Sequence, residues 1–229
     1  METKSSEIFK RIPIQTRSKM LVDSVLSATK KVLPTDEFRK LTTQKVAEVA
    51  GVGIGSLYEY FYSKESILRL LLEKEIDKNL LELEKRLDAL KSQDLGTISD
   101  SLTDYFFDYF YSQKKLMHNL LFALPREMTA GVILNSRIQV VERLEKNLVK
   151  RLPFLKKESD FRSRLFFVVN TNLEGIHTYF FIEKQGLLLF DQATYKSHLR
   201  TVSRSILCEN SQRTSPPNHE SFGREDRGR

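Results

Sequence analysis

A single cysteine, Cys208, in 229 residues excludes an intrachain disulfide and any paired-thiol metal finger. That usage suits a reducing cytoplasm, the compartment expected here. Glycine and proline are scarce, at 9 and 6 residues, and leucine, lysine and glutamate recur at helical rather than alternating spacing. The chain is therefore expected to be almost all helix. Long apolar runs are missing too: the stretch from Leu165 to Ile182 is broken by Asn170, Asn172, Glu174 and His177, and Leu187 to Phe190 is too short to span a bilayer. No membrane partner is expected. The segment Met1 to Ile14 is mixed and polar, without the layout of a signal peptide. No serine lies in a Gly-x-Ser-x-Gly elbow, and Cys208 has no assigned base. Glu174 and His177 form one Glu-x-x-His pair, whereas a di-metal bundle needs two and further glutamates. Neither catalysis, a metal nor another cofactor is expected, and no internal repeat is present.

What the chain does have is positive charge. Lysine and arginine number 37 against 30 acidic residues, a formal charge of +7 that favours a polyanionic partner such as nucleic acid. Residues 1–16, with Lys4, Lys10 and Arg11 but no sustained apolar stripe, read as a flexible arm. A helix is predicted from Arg17 to Leu33, with Met20, Leu21, Val25, Ala28 and Val32 on one face and Pro34 closing it. A second begins near Thr42 or Thr43 and ends at Gly51, and a third runs from Gly53 to Phe61. Ser63 should cap a long helix starting at Lys64, with a stripe from Leu68 through Leu72, Ile76, Leu80, Leu83 and Leu87 to Leu90. Further helices are predicted around 97–111, 114–124, 126–152, 159–185 and 191–207. The division that follows is an arm (1–16), a small helical domain (17–63), a larger helical domain (64–208) and a disordered tail (209–229).

The informative stretch is LTTQKVAEVAGVGIGSLYEYFYSKESIL, residues 41–68. Two short helices around a tight turn describe a helix-turn-helix, whose second helix enters the major groove. Ala47 permits close approach, Gly51 supplies a positive φ, and Val52 plugs the angle between the helices. If Leu57 and Phe61 face inward, Ser56, Tyr58, Glu59 and Tyr60 cannot all be buried, so their hydroxyls, with the Lys64 ammonium, are candidate phosphate donors. Tyr62 is the tyrosine best suited to packing. Gln44 is the candidate for a base contact, because its amide suits adenine; Glu59 points more naturally to solvent.

This stretch resembles the DNA-binding segment of the TetR/AcrR family of one-component transcriptional repressors. The resemblance is close over about 28 residues and looser back to Arg17. It implies an all-α fold, with an N-terminal three-helix DNA-binding domain and a C-terminal helical domain for ligand binding and dimerisation. It implies that Thr43 caps the second helix and touches a phosphate, and that Gln44 and Lys45 lie at the groove edge. Gly53, Ile54, Gly55 and Ser56 would face the bases, while Tyr58, Tyr60 and Lys64 grip the backbone. Glu37 stands where the family usually has a turn glycine, and Gly53 replaces a common serine cap.

In the larger domain, aromatic residues fill helical stripes wider than one seam needs, the makeup of a pocket for an apolar ligand. The candidates are Phe106, Phe110, His118, Phe122, Phe167, Asn170 and His177, with Asn119 and Asn172 as helpers. The resemblance implies a small apolar effector that moves the reading heads of a dimer apart. It also implies a homodimer through the last two helices, about 159–185 and 191–207; Gly175, Phe180, Phe181, Leu199, Val202 and Ile206 are candidates for that face. The expected function is thus a repressor released from double-stranded operator DNA by a ligand; the alternative is a helical ligand-binding protein that does not engage DNA.

Overall fold

The stripe of small and branched apolar residues after Gln15 forms helix α1, Thr16–Val32, in a computed structural model that describes residues 8–187 and 189–209. Val22, Val25, Leu26, Ala28 and Val32 are buried, whereas Met20, assigned above to the same face, is exposed. The Thr29 hydroxyl donates to the Val25 carbonyl, which keeps a polar group inside the packed face. Pro34 then stops the helix, and Thr35 caps a 3-10 turn, Asp36–Lys40, that contains Glu37. Helix α2, Thr43–Ala50, and α3, Ile54–Tyr60, follow. Helix α4, Lys64–Ala89, starts at a reciprocal cap: Ser63 Oγ accepts from the Ser66 amide at 3.4 Å and Ser66 Oγ accepts from the Ser63 amide at 3.2 Å.

The arm is not free along its length. Ile8 is buried in the small domain's core, the Phe9 ring lies 5.6 Å from that of Phe61, and the Lys10 amide donates to the Tyr60 carbonyl at 2.8 Å. Two apolar side chains and a backbone bond fix residues 8–10, so a flexible arm over 1–16 is corrected there. Lys4, and the tail from residue 210 onward, lie outside the described residues.

The larger domain comprises α5, Leu95–Ser112; α6, Lys114–Ala123; α7, Arg126–Arg151; α8, Phe161–Lys184; and α9, Gln192–Leu207, with a second 3-10 turn at Pro153–Lys157. All nine α-helices among the described residues fall within two residues of their predicted ends. Helices α5 and α9 pair antiparallel along an ion ladder. Asp100 meets Arg204, Asp104 takes Arg200 through both oxygens at 2.7 and 2.6 Å, and Asp108 meets Lys196 at 2.8 Å. The four-residue repeat of each sign places the charges on facing edges of the two helices. Arg151 donates to the Leu87 and Leu90 carbonyls, and Arg164 to the Leu207 carbonyl at 2.7 Å; both guanidiniums reach carbonyls at helix ends.

Two cores share the long helix. Ile67, Leu68, Leu70, Leu71 and Leu72 of α4 pack with the small domain, and Leu80, Leu83 and Leu87 with the larger one. Helix α6 contributes Leu116 and Leu120 to the small domain's core, and Leu124 just beyond it does the same. The core boundary therefore runs across α4 near Ile76 rather than at residues 63 and 64, and α6 belongs to both sides.

Candidate nucleic-acid interface and effector cavity

Gly51 ends α2 with φ +67°, a conformation a side chain would resist, and its amide donates to the Glu48 carbonyl at 3.1 Å. The Val52 amide returns to Ala47 at 3.0 Å, which sets the angle at which α3 leaves. Leu57 and Phe61 are fully buried beneath α3; each contributes roughly 1.5–3 kcal/mol by burial. Anchoring that face turns Gly53, Ile54, Gly55, Tyr58 and Glu59 outward, with Ser56 half-buried. A Cβ on Gly55 would meet nothing within 4 Å, so that glycine lies on open surface.

The caps differ from the expectation by one residue. Thr42, not Thr43, caps α2, its hydroxyl accepting from the Lys45 amide at 3.1 Å. The Thr43 hydroxyl lies instead 2.7 Å from the Tyr58 hydroxyl, across the two helices. Tyr58 is 43% exposed, so this pair stands at the surface with donor capacity to spare. Tyr60 is half-buried and its ring packs against the small domain's core, while Tyr62 is exposed, the reverse of the packing role assigned to it. Gln44 is exposed on α2; Lys45 Nζ lies 3.6 Å from Glu48, and Lys64 Nζ lies 4.0 Å from Glu65. Such surface pairs are worth little and yield readily to a polyanion.

The docked arm adds two cations to this face. Lys10 and Arg11 border a shallow depression with Gly55, Tyr58 and Glu59, at the tip of α3. The bridge between Phe9 and Phe61 puts them there.

The second feature is a cavity of about 240 Å³ between α4, α5, α6, α7 and α8. Leu72, Ile76, Phe110, Met117, Leu121, Ile133, Leu173, Ile176 and Phe180 supply its apolar wall. Of the candidate ligand residues, Phe110, His118 and His177 line it. The other four are corrected. Phe106 is buried in the core of the larger domain. Phe122 is 68% exposed, edge-on to Phe38, and Phe167 is 57% exposed. Asn170 stands behind the wall, accepting from Arg137 at 2.8 Å. Asn119 and Asn172 face elsewhere: Asn119 donates to the Leu33 carbonyl at 2.7 Å, and Asn172 to Ser203 Oγ at 2.8 Å. Sequence reading missed Lys114 and Arg137, which line the cavity, and Lys184, which contacts His118 at its edge. Among the described residues no cluster of three or more metal-ligating side chains occurs; Glu174 pairs with Arg137.

On the last two helices, Gly175 serves the chain's own packing. A Cβ there would lie 2.9 Å from Leu199, and the Tyr195 hydroxyl donates to the Gly175 carbonyl at 2.8 Å. Leu199 is buried, and Phe180 and Ile206 are partly buried against the same core. Phe166, Phe181 and Val202 remain exposed.

Comparison with known proteins agrees with this architecture. Residues 25–71 match the family model described as bacterial regulatory proteins, tetR family. HTH-type transcriptional regulator SAR0097 of Staphylococcus aureus (strain MRSA252) is 23% identical over 125 residues, 55% of this chain and 63% of that protein. The chain thus matches less than two thirds of the length of that relative. The fatty acid degradation regulator FadR from Bacillus halodurans superposes with a TM-score of 0.60 at 18% identity, covering 81% of this chain and 94% of that one. A TetR-family transcriptional regulator from Streptomyces coelicolor gives 0.58 at 19% identity, covering 82% and 98%. The TetR family repressor AlkX from Dietzia sp., implicated in biodegradation of n-alkanes, gives 0.54 at 15%, covering 88% and 98%. The matched segment spans the helix-turn-helix and its flanking helices, and the superpositions show the same all-helical fold through the larger domain: residues 25–71 carry the segment shared by the tetR family of bacterial regulatory proteins.

Proposed function

We propose that this chain is a sequence-specific DNA-binding repressor, a cytoplasmic homodimer released from its operator when a small, largely apolar effector enters the cavity. The observation that carries the reading is α3 itself: its inner residues Leu57 and Phe61 are fully buried while Ile54, Gly55 and Tyr58 face outward. The helix fits a major groove with Gly53, Ile54, Gly55 and Ser56 toward the bases. Thr43, Tyr58, Tyr60 and Lys64, joined by Lys10 and Arg11, take the phosphates on either side. Gln44 and Lys45 lie at the edge, Gln44 with the geometry to read adenine. Few of these side chains read bases, so half-site spacing and DNA shape share the specificity. The exposed Phe166, Phe181 and Val202 on α8 and α9 support a symmetric four-helix dimer interface.

Coupling between the sites runs through α6. One face of this helix lines the cavity with Met117, His118 and Leu121; the other places Leu116, Asn119 and Leu120 in the core of the small domain. An effector that pushes α6 outward therefore displaces the head that rests on it. A hundred-fold loss of operator affinity needs about 2.7 kcal/mol of such coupling. The test is an electrophoretic shift on the DNA upstream of the protein's own coding sequence. A specific complex that weakens steeply with salt is expected; equal binding to unrelated DNA at every salt concentration would refute the reading.

A further inference from the structure

The polar rim of the cavity carries charge that its own surroundings do not neutralise. Two of its cations are committed. Lys114 Nζ lies 2.7 Å from Glu183 and 3.9 Å from the centre of the Tyr111 ring, and Arg137 is held by Glu174 and Asn170. Three basic groups then remain, His118 on α6 and His177 and Lys184 on α8, with no ion pair to any of them among the described residues. Lys184 Nζ approaches His118 Nε2 at 3.3 Å. An ammonium only donates, so this contact requires the neutral imidazole and places positive charge directly against it. Burial, followed by the charges of Lys184 and His177, holds the His118 pKa below its ordinary value. The wall beyond this rim is apolar. At about 30 Å³ per water-sized group, the 240 Å³ holds roughly eight such groups, the tail of a short-chain amphiphile.

We propose that the effector is an amphiphilic anion, whose apolar tail fills the cavity among Leu72, Ile76, Leu121 and Ile176 and whose anionic head sits between His118, His177 and Lys184. The assignment rests on the effector reading above and narrows its ligand from apolar to apolar with one charged end. An anion there supplies the missing countercharge and accepts from two imidazoles and an ammonium at once. It also favours the protonated form of His118, so binding takes up a proton and tightens as pH falls. The other charged groups on the rim are paired with each other, Lys114 with Glu183 and Arg137 with Glu174.

Calorimetric titration of the full chain with octanoate, octyl phosphate and octan-1-ol tests this. Octanoate remains ionised well above about pH 5. At pH 6 at least one of the two anions is expected to bind ten-fold or more tightly than the alcohol, with an advantage that shrinks by pH 8; comparing the anions tells a carboxylate head from a phosphate. Lys184→Gln, at an exposed position, and His118→Gln, close in volume, should each weaken the preferred anion about ten-fold and leave octan-1-ol unchanged. Equal affinity for anion and alcohol overturns the charged head and leaves the effector reading standing. No binding of any of the three overturns both. Release of DNA is measured in a separate titration, so loss of the repressor reading is told apart from either result.

Discussion

Replacing Tyr58 by phenylalanine removes one oxygen and leaves the ring in place. In the free protein that oxygen lies 2.7 Å from Thr43 Oγ1, on a side chain 43% exposed, so its loss costs little stability because water replaces the bond. On DNA the same hydroxyl would donate to a phosphate, and a hydrogen bond to a charged group is worth about 1.5–3 kcal/mol. That is roughly a ten- to hundred-fold loss of affinity at each half-site, incurred twice by a dimer. The phenol carries no charge, so the slope of log affinity against log salt should not change. Fluorescence anisotropy on operator and on random DNA, at several salt concentrations, separates these quantities. Binding should weaken on both DNAs in parallel, with an unchanged slope and an unchanged melting temperature. Operator affinity within two-fold of the parent, or a fall in thermal stability that accounts for the loss, would refute the role given to Tyr58.

Four further outcomes are expected. Lys64→Ala, and separately Lys10→Ala with Arg11→Ala, should lower the salt slope by about 0.9 for each phosphate left without its cation in each subunit, read in the same titrations. Gly55→Ala should stabilise the free protein by up to about 0.5–1 kcal/mol, because nothing lies within 4 Å of the added Cβ, and yet weaken operator binding; thermal melts and anisotropy together check the opposite signs. Asn119→Ala leaves the buried Leu33 carbonyl without its 2.7 Å donor, so it should cost about 1–3 kcal/mol in chemical unfolding and reduce the effect of the ligand on DNA binding. Gly175→Ala puts a Cβ 2.9 Å from the buried Leu199 methyl, which must shift; the overpacking cost of about 1–3 kcal/mol, less the about 0.5–1 kcal/mol that alanine gains in mid-helix, should leave a net loss in unfolding without altering the surface that α3 presents.

The helix boundaries are readable because their signals are local. Ser63 with Ser66 marks the start of α4, Pro34 and Gly51 mark stops, and each acts within one turn of the residues it punctuates. Ambiguity begins where neighbours compete for one job. Thr42 and Thr43 are equally able to cap, and only the position of Tyr58 across the turn decides that Thr43 is the one left over. Non-local pairing is hidden altogether. Ile8 and Phe9 have no period of their own, and their reason for being apolar is Phe61 and the small domain's core. The same limit applies to the cavity. Phe106 and Phe110 share a stripe on α5, but one faces the core and the other the cavity, a distinction that depends on where α6 and α8 cross it. Gly175 is a point of close approach, as its lack of a side chain suggests; the helix that approaches is the chain's own α9.

The central claim is that α3 enters the major groove as one of a symmetric pair. Methylation interference at guanine N7, which lies in that groove, tests it most directly on fragments selected by the protein from genomic DNA. The expected result is two symmetry-related clusters of interfering guanines, with centres about 34 to 36 Å apart or a multiple of that spacing. A specific complex formed equally well on DNA methylated throughout its major groove would contradict the claim.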